Sequence, residues 1–297
     1  MNSPYEEASA QLNSSVDYFR CGASQFNQAQ LYFGHGTNNA IYEALFLSLH
    51  ALHLTPPLAP ELHHACLTDV EKESVLALFQ RRIDDRLPVP YLTNEAWFGG
   101  LGFYVDERVL VPRSPIAELI EQRLAAWMDE ERTEHILDLC TGSGCIAIAS
   151  AMAFPWAEVD AADISDDALA VAEINIKRHH LEGRVRAMKS DVFSGLAGDR
   201  YDLIVSNPPY VDAEDLAGMP DEFRREPELG LAAGADGLDI AIKILAHAPD
   251  FLTEMGTLIV EVGNSEAALV ERFPEVPFVW LDFERGGHGV FLLHTEV

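Results

Sequence analysis

Asn207-Pro208-Pro209-Tyr210 follows directly on an apolar run, residues 201–206. Two adjacent prolines hold the backbone extended and stiff. A stiff loop can aim fixed acceptors at one point in space. The Asn207 side-chain oxygen and the Pro208 carbonyl can each take one N–H of a target NH2 group, and the Tyr210 ring can lie against a planar substrate. An amide nitrogen is a poor nucleophile because its lone pair is delocalised into the carbonyl. Two acceptors would turn that lone pair toward an electrophile and favour the positive charge that builds on nitrogen during attack. Asn-Pro is also a common turn dipeptide, so the motif gains meaning only beside a site for the electrophile.

Such a site is suggested by Ile136-Leu-Asp138-Leu-Cys140-Thr141-Gly142-Ser143-Gly144-Cys-Ile-Ala147. An apolar strand ends in a glycine turn that opens into a helix, and glycines there allow a cofactor to approach the backbone. The Gly142-x-Gly144-x-x-Ala147 pattern fits a dinucleotide fingerprint as well as an S-adenosylmethionine loop. Asp163, 19 residues beyond Gly144 at the end of the next strand, suits a ribose in either case, with Ile164 beside it. Asp138 tilts the choice, since a carboxylate there suits the methionine ammonium and opposes a pyrophosphate. After the third strand, Asp191 is placed to accept from an adenine amino group, with Val192 and Phe193 as apolar contacts.

These residues need a scaffold. Residues 12–28, 38–50 and 68–86 read as helices. The last is announced by a Thr68-x-x-Glu71 capping box, with Val70, Leu76, Phe79 and Ile83 as its apolar stripe. Trp97 to Leu110 reads as a hairpin turning at Gly99-Gly100. A helix over 115–128 follows, with Ser114 as cap. From 135 onward strands (135–139, 157–162, 184–189, 201–206, 256–262) alternate with helices (145–153, 166–179, 238–247, 265–272), the last capped by Asn264. Strands 276–281 and 289–294 have no helix between them, which predicts one antiparallel strand in an otherwise parallel sheet. The division expected is a helical region over 1–93, a hairpin over 94–111 and a catalytic region over 112–297.

The 297 residues carry 20 basic and 48 acidic side chains, a net charge of −28. The first 95 residues hold 5 basic against 11 acidic groups, and the rest 15 against 37. Such a surface repels phosphate backbones, so stable nucleic-acid binding is not expected. It attracts basic partners. The four cysteines form no ligand cluster, so no metal is expected. No apolar run reaches the length of a membrane span, and residues 1–10 do not read as a secretory signal. A cytoplasmic protein is expected.

Asp138-Leu-Cys-Thr-Gly-Ser-Gly144 together with Asn207-Pro-Pro-Tyr210 resembles the amino-group methyltransferases of class I Rossmann-like α/β fold. Within them the whole chain is similar to the protein N5-glutamine methyltransferases, which combine a helical N-terminal domain, a β-hairpin and a seven-stranded, mostly parallel catalytic sheet. One branch of that family modifies the Gly-Gly-Gln loop of release factors; another modifies a glutamine in the third protein of the large ribosomal subunit. Phe33-Gly-His-Gly-Thr-Asn38, the run from Phe103 to Ile116 and Phe283-Glu-Arg-Gly-Gly-His-Gly-Val290 resemble the ribosomal-protein branch. Where this chain has Pro112-Arg113-Ser114-Pro115-Ile116, the release-factor branch reads Pro-Arg-Pro-Asp/Glu-Thr. His288 stands where the ribosomal-protein branch more often has an acid. The resemblance implies S-adenosylmethionine as cofactor, residues 140–144, Asp163 and the Asp191-Val192 edge as its contacts, and Asn207, Pro208, Pro209 and Tyr210 as the glutamine site, with Asn207 bordering the cofactor as well. It also implies a lid role for Glu226-Pro227 and a basic ribosomal protein as partner. Release factors, and more distantly the adenine of a nucleic acid, are the alternative acceptors.

Overall fold

The computed structural model describes residues 11–128, 132–196 and 198–295. The N-terminal stretch read above for a signal lies outside the described residues. The chain forms two compact units. One runs to Glu95 and also takes Pro220–Arg225; the other takes Ala96–Met219 and the chain from Glu226 onward. The short 220–225 segment was grouped by sequence with the catalytic region, and the hairpin falls in the second unit.

The first unit is helical. Helix α1 (Ser15–Gln28) starts from a capping box in which Ser14 and Asp17 satisfy each other's backbone N–H groups. Helix α2 (Ala40–Ala51) is capped by Asn39. Helix α3 (Asp69–Asp84) has the Thr68/Glu71 box expected from sequence, and a short α4 (Val89–Thr93) follows. Tyr18, Phe26, Leu47, Val75 and Phe79 form the core. Phe26 meets Phe79 edge-on at 5.2 Å. The stripe of α3 is Val75, Leu76 and Phe79, while Val70 is 73% exposed. Leu76 comes six positions after Val70, which puts the two about 120° apart around a helix of 100° per residue.

A charged cluster lies inside this unit. Arg82 is fully buried. Its Nε donates to Glu43 at 2.9 Å and its Nη2 to the Tyr32 carbonyl at 2.9 Å. Nη1 lies 3.4 Å from Glu222, which also accepts from Arg86 at 3.2 Å and from the Tyr32 N–H at 3.1 Å. Burial raises the Glu43 carboxyl against the pull of Arg82. Burial also works against Glu222, but its hydrogen bonds and the two arginines hold it below the usual range. His35 is buried, its ring 4.3 Å from that of Phe223.

The second unit opens with a hairpin, β1 (Ala96–Phe98) and β2 (Leu101–Phe103). It turns through Gly99 and Gly100, both at positive φ, the geometry of a type I′ turn. Pairing stops at Phe103 rather than continuing to Leu110. Asp106 folds the chain there by accepting from the Arg108 N–H at 3.1 Å and its Nε at 2.9 Å. Helix α5 (Ile116–Glu121) is shorter than the 115–128 expected, because Arg123 and Leu124 take positive φ and end it.

The main sheet has seven strands: β3 (His135–Leu139), β4 (Glu158–Asp163), β5 (Val185–Lys189), β6 (Tyr201–Ser206), β7 (Leu252–Glu261), β8 (Val279–Trp280) and β9 (Val290–His294). Their order is β5-β4-β3-β6-β7-β9-β8, and β9 runs antiparallel to both its neighbours. The expectation of one antiparallel strand is met. Successive residues of β3 feed opposite layers. Ile136 packs in a core with α5, α6 (Cys145–Ala153) and α7 (Asp166–Arg178), and Leu137 in a second core with α9 (Asp239–Phe251). Helices α8 (Ala213–Gly218) and α10 (Glu266–Arg272) complete the unit. Asn264 does not cap α10. Its amide donates to Asp215 at 3.1 Å and its oxygen meets the exposed His288 ring at 3.0 Å. Strand order reverses between β3 and β6, which opens a crevice at their carboxyl ends. Among the described residues, no helix is long and apolar enough to cross a membrane.

Candidate active site

The crevice is lined by Cys140, Thr141, Gly142, Ser143, Asp163, Ile164, Asn207 and Pro209, with Arg113, Ser114, Pro227 and Leu229 facing them. Residues from the two sequence motifs therefore share one cavity. A larger cavity opens at the amino ends of the strands, beside His135, Glu158 and Tyr201. It lies away from both motifs, at the end of the sheet where open α/β folds do not place their ligands.

The glycine loop is shaped by backbone conformation. Cys140, Gly142 and Gly144 have φ of +60°, +55° and +79°. A Cβ on Gly142 would meet nothing within 4 Å, so the space above it is open. One on Gly144 would lie 3.2 Å from the Ala172 Cβ, so that glycine serves the contact of α6 with α7.

Asp138 is fully buried. Its Oδ2 accepts from the Thr141 hydroxyl at 2.5 Å and the Ala147 N–H at 3.0 Å. Its Oδ1 is buried with no hydrogen-bond partner among the described residues. Burial raises this carboxyl to about 7, against those two hydrogen bonds. A carboxyl raised above its unfolded value binds more protons when folded, so its ionisation costs stability as pH rises from 3.8 to about 7. Asp138→Asn keeps one oxygen for both donors and removes that cost. The variant is expected to gain on wild type by up to about 4 kcal/mol between pH 4 and 8, read by denaturant unfolding without ligand. Parallel pH curves for the two proteins would refute a raised Asp138.

Asp163 accepts from the Gly142 N–H and the Ser165 N–H, one on each oxygen and both at 2.9 Å. Each oxygen keeps a further lone pair for a ligand hydroxyl. Burial raises this carboxyl too. The third group is less united. Asp191 is exposed and pairs with Lys243 at 3.7 Å. Val192, at positive φ, is buried. Phe193 turns inward and stacks on Phe251 at 4.6 Å, so its ring is spent in the core.

The Asn-Pro-Pro-Tyr loop is anchored at both ends. Before it, the Ser206 hydroxyl donates to the Leu139 carbonyl at 2.8 Å, which joins β6 to the end of β3. After it, Val211 pairs with the 231–233 segment. The Tyr210 hydroxyl donates to Glu261 at 2.8 Å. Burial, and then the Glu261 charge, push that phenol far above its ordinary value, so it stays protonated. The ring lies where a Cβ on Gly263 would stand, 2.5 Å away.

Sequence reasoning gave no role to Glu261 or Arg113. Glu261 is buried at the end of β7, and its second oxygen accepts from the Ser114 hydroxyl at 2.5 Å. Its one sequence signal was an acid ending the apolar run Leu258-Ile259-Val260. Arg113 holds Glu226 through two contacts of 2.6 and 2.8 Å, and the Val111 N–H adds a third at 2.9 Å. Glu226 is thus latched to this unit at the cavity wall.

Comparison with known proteins identifies this arrangement. The model of the methyltransferase small domain family matches residues 121–220. The ribosomal protein uL3 glutamine methyltransferase of Xanthomonas campestris pv. campestris is 54% identical over 289 residues, 97% of this chain and 94% of that protein. The chain belongs to the ribosomal protein uL3 glutamine methyltransferases. The protein of that name from Xylella fastidiosa is likewise 54% identical, over 97% of this chain and 92% of its own length. Among solved structures, the hMettl16 catalytic domain in complex with a 3'UTR hairpin matches with TM-score 0.50 at 18% identity, over 75% of this chain and 80% of that one. That likeness concerns the fold, which is the class I methyltransferase fold expected from sequence. The chain is a methyltransferase.

Proposed function

We propose that this protein transfers a methyl group from S-adenosylmethionine to the side-chain amide nitrogen of a glutamine in ribosomal protein uL3. The observation that carries the reading is the single cavity shared by the glycine loop and the Asn207 loop, in a chain so close to enzymes named for that reaction.

The residues present suit the cofactor. The unpartnered Asp138 oxygen suits a cationic ammonium, the spare lone pairs of Asp163 suit ribose hydroxyls, and the open space over Gly142 admits a ligand against the backbone. When bound, S-adenosylmethionine supplies an electrophilic methyl group on a sulfonium. Asn207 and the Pro208 carbonyl hold the amide NH2 and turn its lone pair outward from the loop. The anchors at Ser206 and Val211 keep those acceptors fixed, so little reorganisation is needed as charge develops on nitrogen. The methylated nitrogen is acidic enough to lose its proton without a strong base. The net charge of −28 favours encounter with a basic ribosomal protein.

The test is incubation with labelled S-adenosylmethionine and, separately, uL3, a release factor and an RNA, with the label mapped by mass spectrometry. One methyl on a uL3 glutamine is expected. Label on the release factor alone would keep the chemistry and overturn the substrate, and label on RNA alone would overturn both.

A further inference from the structure

Glu261 does not itself line the cavity, yet one residue that does, Ser114, and one from the Asn207 loop, Tyr210, converge on it. Tyr210 belongs to the loop assigned above to the substrate amide. Ser114 lines the cavity and lies in the Pro-Arg-Ser-Pro signature, which the catalytic reading leaves without a role. Their hydroxyls donate to opposite oxygens of one buried carboxylate, at 2.8 and 2.5 Å. Ser114 also accepts from the Ile116 N–H at 3.2 Å, which fixes it at the entry to α5. We propose that Glu261, oriented by Ser114, is the positioning residue that sets the angle at which the Tyr210 ring meets the substrate amide.

Tyr210 is held from two sides. Its ring rests against Gly263, at positive φ, and its hydroxyl is drawn to Glu261 from the neighbouring strand end. A ring that fills the space over Gly263 and has its hydroxyl tethered is held against rotation about its side-chain bonds. The hydroxyl is then an anchor, directed away from the reacting nitrogen. A buried carboxylate with two short hydroxyl donors is stiff, because losing either donor leaves an oxygen poorly satisfied. The serine is needed as a donor, and a proline at 114 could not supply one.

This inference rests on the proposal that Tyr210 contacts the substrate glutamine. The experiment uses the full-length protein with labelled cofactor and purified uL3, comparing wild type with Tyr210→Phe, Glu261→Gln, Ser114→Ala and the Y210F/E261Q double variant. Phenylalanine keeps the ring and loses the tether. Glutamine keeps the volume and loses the charge.

Each single variant is expected to lower kcat by about three- to tenfold, with the cofactor dissociation constant within about twofold of wild type. The double variant should be no slower than the slower single, because both changes cut one link. Effects on kcat that multiply in the double variant, or full activity in Glu261→Gln, would overturn the assignment. A Glu261→Gln defect that appears only as weaker cofactor binding would also overturn it. If wild type itself does not methylate uL3, the failure lies in the proposed function and not in the Glu261 assignment.

Discussion

Asn207→Ala is expected to lower kcat for methyl transfer by about 10²–10³-fold, the range seen when one preorganised hydrogen-bonding group is removed from a catalytic site. The fold should be untouched. The Ser206 hydroxyl still ties β6 to Leu139, and Val211 still pairs with the 231–233 segment, so the loop keeps its course. Cofactor affinity should change far less than kcat, because Asp138, Asp163 and the glycine loop remain. The split is the diagnostic result. A loss confined to kcat places Asn207 on the nitrogen in the transition state. An equal loss of cofactor affinity would instead make it a cofactor contact, and unimpaired turnover would remove it from the mechanism. Single-turnover methylation with saturating cofactor, beside calorimetric titration of the cofactor, separates these outcomes.

Arg82→Ala carries the largest expected loss of stability. Arg82 is fully buried and contacts Glu43, Glu222 and the Tyr32 carbonyl. Removing it strands Glu43 in the interior, and breaking a buried pair from one side costs about 3–5 kcal/mol. The sign of the pH dependence follows from Glu43, whose carboxyl is already raised by burial and loses its nearest cation in the variant. Protonation removes the stranded charge, so the deficit should shrink as pH falls through the raised Glu43 value and be full above it. Urea unfolding at pH 5 and pH 8 measures both the size and the trend. A deficit below about 1 kcal/mol, or one that grows at low pH, would show that the cluster is hydrated or otherwise compensated.

The parts of the fold that were legible are those with local causes. Strand β3 and helix α6 were placed to the residue because a glycine turn separates them, and α7 and α3 begin where Ser165 and Thr68 cap them. Helix α5 was overextended because the positive φ of Arg123 and Leu124 has no sequence signature. Asn264 has the chemistry of a cap, but Asp215 and His288 compete for its side chain. The site divides the same way. The loops that carry Asp138, Asp163 and Asn207 were read from strand ends and turn residues. Partners were not. Ser114 and Glu261 lie 147 residues apart, and Arg113 and Glu226 lie 113 apart. Only folding brings such pairs together, and nothing in a single sequence marks them. The stacking of Phe193 on Phe251 was not legible either, since adjacency to Asp191 says nothing about which way a ring turns.

The placing of Pro220–Arg225 in the first unit bears on how the protein can be divided. A fragment stopping at Glu95 would hold Arg82 and Arg86 but not Glu222, the acid both arginines reach. A fragment starting at Ala96 would carry Glu222 and Phe223 with neither arginine to receive the acid. The boundary is therefore interleaved, and neither unit corresponds to one uninterrupted stretch of gene. Inheritance, deletion or exchange of the helical unit as a cassette would leave charge behind on both sides of the cut.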